Sequence, residues 1–268
     1  MNLTERVKSH TVPPQSISLW WLGQLGYILK SPQGQVIAID PYLTNSCEPG
    51  GRIYYDVNCD RRVPPPVEPE DLRVDVLALT HSHQDHCDPE TITRHRTSGF
   101  RGPYLAPGET MDLLMTLGVD RSEIILSWPN KEHRFGDLRF KSTFAIPARG
   151  DDVTHMGYLV FVDSGPTIYF TGDTDYHDIL EYVAEYKPDV MVLPINGCAR
   201  NLGPNDATRL TQRINPKVVI PCHYDIFPDD GENLRVFRRC LIIVGLKDRL
   251  VELKHGETYT YSNPAGRT

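Results

Sequence analysis

Thr80-His81-Ser82-His83-Gln84-Asp85-His86 stands between an apolar run, Val74-Asp75-Val76-Leu77-Ala78-Leu79, and the segment Asp88-Pro89-Glu90. The pattern predicts a buried strand, a turn carrying three imidazoles and a carboxylate, and the capped start of a helix. His81 and His83 are two apart, so on an extended backbone both side chains point the same way. Asp85 and His86 come after the chain has turned and can face a second point nearby. Nitrogen and oxygen donors so placed can build two adjacent metal positions. The chain has only 10 histidines in 268 residues, and three of them fall in this stretch. That clustering sets the motif apart from scattered core histidines.

Working outward, other acidic and imidazole residues stand just after apolar runs. Asp40 follows Val36-Ile37-Ala38-Ile39, Asp173 follows Thr167-Ile168-Tyr169-Phe170-Thr171-Gly172, and His223 follows Val218-Val219-Ile220-Pro221-Cys222. Strand ends converging on one sheet edge are where α/β sites are built. Alone, Asp173 reads as a helix cap and His223 as a core histidine; beside the motif, both read as ligands. Hydrophobic periodicity and breakers place strands near 17–22, 26–30, 35–39, 74–79, 104–106, 122–127, 138–146, 157–162, 167–171, 190–194, 218–221, 249–253 and 258–261. Helices are expected over 89–96, 108–117, 175–186, 205–214 and 231–245. Residues 44–73, rich in Pro and Gly, read as a long loop near the site; Tyr42, and Tyr54 and Tyr55 within the loop, are candidate pocket walls. The first half looks antiparallel and the second alternates strand and helix. The simplest solution is one α/β domain over 1–268, with two sheets face to face and helices outside.

Composition bounds the rest. A formal net charge of −7 and a pI near 5.8 argue against a nucleic-acid surface. They leave room for a small anionic substrate, because local charge and metal ions decide that. No apolar run reaches a bilayer span, and the N-terminus lacks a secretory apolar region. The six cysteines are scattered without a C-x-x-C and read as free thiols. The expected location is cytoplasmic, and a homo-oligomer is compatible with the composition.

The motif, Asp40, the Thr171-Gly172-Asp173-Thr174 turn and His223 together resemble the metallo-β-lactamase fold over nearly the whole chain. The resemblance implies an αββα four-layer sandwich with one or two metal ions at one edge. Three segments are similar to the L-ascorbate 6-phosphate lactonase subgroup: Trp20-Trp21-Leu22-Gly23 with Gly26-Tyr27-Ile28-Leu29-Lys30-Ser31, residues 196–206, and Lys217 to Phe227. That subgroup opens a phosphorylated sugar-acid lactone and is associated with manganese. Carried over residue by residue, His81 and His83 would hold one ion and Asp85, His86 and His223 the other. Asp173 would bridge or lean to the second ion, and Asp40 would brace the histidine loop.

One departure matters. The fold family supplies a further histidine after a strand beyond the motif, but Phe144-Ala145-Ile146-Pro147-Ala148-Arg149-Gly150-Asp151-Asp152 contains none. His155 is a candidate substitute or a substrate contact. Without it the His81/His83 position is incomplete. The expected function is a metal-dependent hydrolase, using Mn or Zn, that opens a small lactone by attack of metal-bound hydroxide, with Asp85 and Asp173 as the acid–base carboxylates. Arg149, Arg200, Asn201, Tyr224 and His155 are the candidate substrate contacts. The alternatives are a metal-dependent phosphodiesterase or nuclease and a non-catalytic metal-binding protein.

Overall fold

The computed structural model describes residues 1–47, 59–148, 153–198, 200–228 and 233–263. Two mixed sheets pack face to face. The first runs β13 (Thr258–Ser262), β1 (Ser16–Gly23), β2 (Gly26–Lys30), β3 (Val36–Ile39), β4 (Val76–Ala78), β5 (Tyr104–Ala106) and β6 (Ile124–Leu126). The second runs β12 (Val218–Cys222), β11 (Val190–Pro194), β10 (Thr167–Phe170), β9 (Met156–Val162), β8 (Leu138–Phe144) and β7 (Glu132–Phe135). Among the described residues five α-helices accompany them: α1 (Leu3–Ser9), α2 (Pro89–Thr97), α3 (Gly108–Thr116), α4 (Pro204–Ile214) and α5 (Asn233–Ile243). The expected αββα sandwich is the fold observed.

The layering explains why the strands read as continuous apolar runs rather than alternating ones: both faces are covered. In β1, Ile17, Leu19 and Trp21 point between the sheets, while Trp20 and Leu22 point outward onto Leu3 and Val7 of α1. In and beside β4, Val76 and Ala78 face the inter-sheet core, and Leu77 and Leu79 meet Ile92 of α2 and Leu114 of α3. One residue of register slip would exchange the two faces, which fixes the pairing.

Several expectations are corrected. The first half is not simply antiparallel: β3, β4, β5 and β6 pair in parallel, because β4, β5 and β6 are joined through α2 and α3, and parallel neighbours need such crossovers. The segment after Asp173 is a run of 3-10 turns over Asp178–Tyr186, ended by Lys187 at φ 48° before Pro188. Residues 249–253 form no strand; Leu250 makes only an isolated bridge to Val219. Helix α1 and the polar edge strand β7 arise where the apolar pattern gave no signal. All six cysteines are free thiols. Among the described residues no helix is long and apolar enough to cross a membrane.

The site edge is joined across the sandwich. The Met156 amide at the start of β9 donates to the Thr80 carbonyl at 3.1 Å, beside the histidine motif. At the neighbouring Gly157 a Cβ would lie 2.4 Å from the Phe170 carbonyl oxygen and 2.5 Å from that of Thr171. Only glycine lets β9 approach the end of β10 so closely, just before Asp173.

Candidate metal centre

The strand ends carry out what their order implied. Asp40 leaves β3 at φ 42°, a left-handed turn that aspartate tolerates better than most residues. Its buried carboxylate accepts from the Thr80 amide at 2.8 Å, from the Thr80 hydroxyl, and from His86 Nδ1 at 2.8 Å. With a cation at the centre, this fixes the proton of His86 on Nδ1 and leaves Nε2 bare. The Thr80 hydroxyl hydrogen is committed to Asp40, so its oxygen accepts from His81 Nδ1 at 3.0 Å. His81 is thereby also held with Nε2 bare. Both Nε2 atoms, and Asp173 Oδ1, are buried with no hydrogen-bond partner among the described residues.

Beside the trio Asp40, His81 and His86, two further groups of donors meet here. His81, His83 and His155 form one, and Asp85, His86 and His223 the other, each with one donor atom per residue within 4.8 Å of the rest. His155, buried at the entrance to β9, brings its ring 4.2 Å from His81 and 5.0 Å from His83. The expectation of an incomplete first position is therefore corrected: the third imidazole arrives from the far sheet. The rings of His81 and His86 are 4.0 Å apart, so the two groups adjoin.

In the second group, His223 Nε2 lies 3.2 Å from Asp85 Oδ2 and 3.3 Å from Asp173 Oδ2; His86 Nε2 lies 3.3 Å from Asp173 Oδ2 and 3.7 Å from Asp85 Oδ2. A tetrahedron with metal–ligand bonds of about 2.0–2.1 Å has edges of about 3.3 Å. Three of these four contacts, at 3.2–3.3 Å, match that edge, the spacing a small divalent cation needs. The electrostatics fits a cation too. Burial resists charge on His86, but the Asp173 and Asp85 carboxylates outweigh it and push its pKa up to about 10. Against the same burial penalty, His223 is held well above the ordinary value by Asp173 and Asp85. The carboxyls of Asp85 and Asp173, despite burial, are drawn below the usual carboxylate range by these two imidazoles. His81 goes the other way, lowered by burial and then by His86, His155 and His83. The group demands positive charge, which a cation supplies in place of protons.

The candidate substrate contacts divide. The Asn201 amide donates to Asp173 Oδ2 at 2.7 Å, so it holds a carboxylate of the centre instead of facing outward. The Tyr224 hydroxyl donates to the Leu253 carbonyl at 3.3 Å with its ring on Trp21, which engages it in the core. Arg200 is exposed and pairs with Asp175 at 3.3 Å. Tyr42 is fully buried beneath the Arg61 guanidinium and beside Phe227, so it supports the loop instead of lining an open pocket. Arg149, Tyr54 and Tyr55 lie outside the described residues.

Two residues of the centre escaped the sequence reading. Gln24, buried in the turn between β1 and β2, donates to Asp85 Oδ2 at 3.0 Å. Asn196, just after β11, places its side-chain amide 3.0 Å from His223 Nδ1. The strand-end rule that singled out Asp173 and His223 also fits Asn196; nothing local marks Gln24.

Comparisons with known proteins bear on the family and the fold. The family model described as a beta-lactamase superfamily domain matches residues 18–223. A UPF0173 metal-dependent hydrolase of Polynucleobacter asymbioticus is 28% identical over 267 residues, spanning 91% of this chain and 86% of its own. One from Archaeoglobus fulgidus is 29% identical over 257 residues, spanning 92% of this chain and 100% of its own. Among solved structures, Igni18, a novel metallo hydrolase from Ignicoccus hospitalis, superposes with a TM-score of 0.73 at 23% identity, covering 93% of this chain and 100% of its own. At that identity the likeness concerns the fold.

Proposed function

The chain belongs to the beta-lactamase superfamily, and on that premise we propose that it is a metal-dependent hydrolase of a small anionic ester, with a phosphorylated lactone as the first substrate class. The observation that carries the reading is the pair of adjoining donor groups, His81/His83/His155 and Asp85/His86/His223, with Asp173 Oδ2 within 3.3 Å of both His86 and His223. Two ions would be held there, and the imidazole and carboxylate donors suit zinc or manganese. When bound, such ions acidify water toward neutral pH and polarise the carbonyl under attack.

The chain's own residues prepare and complete the reaction. Asp40 holds His86, and Gln24 holds Asp85. Asn201 occupies Asp173 Oδ2, and Oδ1 has no hydrogen-bond partner among the described residues. Asp173 Oδ1 is thus the atom placed to take a proton from the attacking water and pass it to the leaving alkoxide. Arg200 would release Asp175 and take the anionic group of the substrate. The lactone itself is supported by the three segments similar to the ascorbate-phosphate lactonases. The phosphodiesterase reading is the runner-up, because paired metal positions also suit in-line displacement at phosphorus. The non-catalytic reading rested on a missing third imidazole, and His155 removes that support.

Metal analysis and parallel assays test this. The purified protein should bind two ions, and His155→Ala about one, because one of the two donor groups is broken. Turnover should appear on a panel of phosphorylated lactones; activity confined to bis-p-nitrophenyl phosphate would overturn the lactone in favour of the phosphodiester, and absence of bound metal would overturn both.

A further inference from the structure

His223 presents Nε2 to two carboxylate oxygens, at 3.2 Å from Asp85 and 3.3 Å from Asp173. When a cation lies among those oxygens, Nε2 is a bare electron-pair donor, which puts the hydrogen of the neutral ring on Nδ1. Without a cation the ring can instead carry its hydrogen on Nε2, donate to the carboxylates and leave Nδ1 to accept. In the cation-bound state Nδ1 is a hydrogen-bond donor and needs an acceptor.

Two carboxamides stand at that nitrogen. Gln24 Nε2 is 3.2 Å from Nδ1 and Asn196 Nδ2 is 3.0 Å from it, while Gln24 Oε1 and Asn196 Oδ1 are both buried without a partner among the described residues. Three donors cannot satisfy one another, so at least one amide must offer its oxygen. Gln24 is not free to turn: its nitrogen already donates to Asp85 Oδ2 at 3.0 Å, and turning would set oxygen against carboxylate oxygen. Asn196 has no such commitment, and a half-turn of its terminal amide exchanges nitrogen for oxygen in place.

We propose that Asn196 is a positioning residue whose Oδ1 accepts the Nδ1 hydrogen of His223 and so fixes Nε2 as the atom turned to the second donor group. It does for His223 what Asp40 does for His86, with a neutral amide in place of a carboxylate. The backbone around it is held in place. Asn233 of α5 donates to the Asn196 carbonyl at 2.7 Å, and the Ile195 amide donates to the Cys222 carbonyl at 3.2 Å. The half-turn moves the amide nitrogen to the buried place that Oδ1 holds. The inference rests on the proposed hydrolase reading and deepens it at its second metal position.

The test uses 15N-histidine-labelled wild type, Asn196→Asp and Asn196→Leu, each metal-free and zinc-loaded. Long-range proton–nitrogen correlation locates the ring hydrogens, and chelator competition gives the zinc affinity. A hydrogen on His223 Nδ1 is expected in zinc-loaded wild type. Asn196→Leu should weaken the second zinc by roughly 10–100-fold, the range found for outer partners of histidine ligands, and Asn196→Asp should restore it. A bare Nδ1 in zinc-loaded wild type overturns the proposal even if Asn196→Leu does not fold. So does an affinity in Asn196→Leu within about twofold of wild type, or an Asn196→Asp as weak as Asn196→Leu. These outcomes leave the hydrolase reading standing; if wild type binds no zinc at all, the hydrolase reading and the proposal fail together.

Discussion

Replacing Asp40 by Asn removes one charge and keeps the shape. Asparagine tolerates the left-handed φ of 42° as well as aspartate does, so backbone strain does not confuse the result. The carboxylate accepts from two buried N–H donors, the Thr80 amide and His86 Nδ1, both at 2.8 Å, and from the Thr80 hydroxyl. A carboxamide offers one oxygen and turns an NH2 toward one of these donors. Leaving one buried donor unpaired costs about 1–3 kcal/mol of stability. If the Thr80 amide keeps the oxygen, His86 loses its anchor and its proton can move to Nε2, where it blocks the ligand atom. The second metal position should then weaken by about 10–100-fold, or about 1.4–2.8 kcal/mol. Chelator competition measures the affinity, and urea unfolding of the metal-free protein measures the stability. An Asp40→Asn protein that holds both ions as tightly as wild type, with an unchanged unfolding midpoint, would refute the brace assigned to Asp40.

Two further outcomes concern protons. In the metal-free protein burial opposes charge on His86, but Asp173 and Asp85 push its pKa up to about 10, so it is charged at pH 7.5; His223 is raised in the same direction by the same carboxylates. Zinc binding should therefore expel between one and two protons and tighten as pH rises toward 10; titration in weakly buffered solution with a pH indicator reads the release, and none would contradict the assignment. On the far side of the first sheet, His95 is buried against Phe100, and burial pushes its pKa down to about 4, with the Leu72 carbonyl opposing and Arg73 assisting. A depressed imidazole pKa means the fold prefers the neutral ring. Its contribution is fully present above about 6.5 and is lost as pH falls through about 4, a loss of about 3 kcal/mol. Urea melts of wild type and His95→Leu should therefore converge in acid, or cross, relative to their separation at pH 7.5; a difference that does not change with pH refutes it.

Much of the molecule is legible in the chain because it is written in local patterns. Val74 to Leu79 is apolar throughout because both faces of that strand are covered, and the Asp-Pro after the histidines caps a helix in any context. Asp40, Asp173 and His223 announce themselves by standing one step beyond such runs. The elements misjudged were those with weak local signal: the polar edge strand β7, the short α1, and residues 178–186, whose apolar spacing suits a helix but which form 3-10 turns.

The sequence by itself determined the sandwich, the histidine turn and the strand ends that meet it, because hydrophobic period and breaker residues act over a few positions. Only the tertiary structure decided that His155 completes the first donor group. Its ligand partners lie more than seventy positions earlier in the chain, and what brings them together is the Met156–Thr80 hydrogen bond between the two sheets. The same holds for Gln24, which reaches Asp85, and for Asn196, which reaches His223. A carboxamide becomes part of a metal centre only through the groups that folding places around it, since its chemistry carries no signal until a buried donor needs an acceptor.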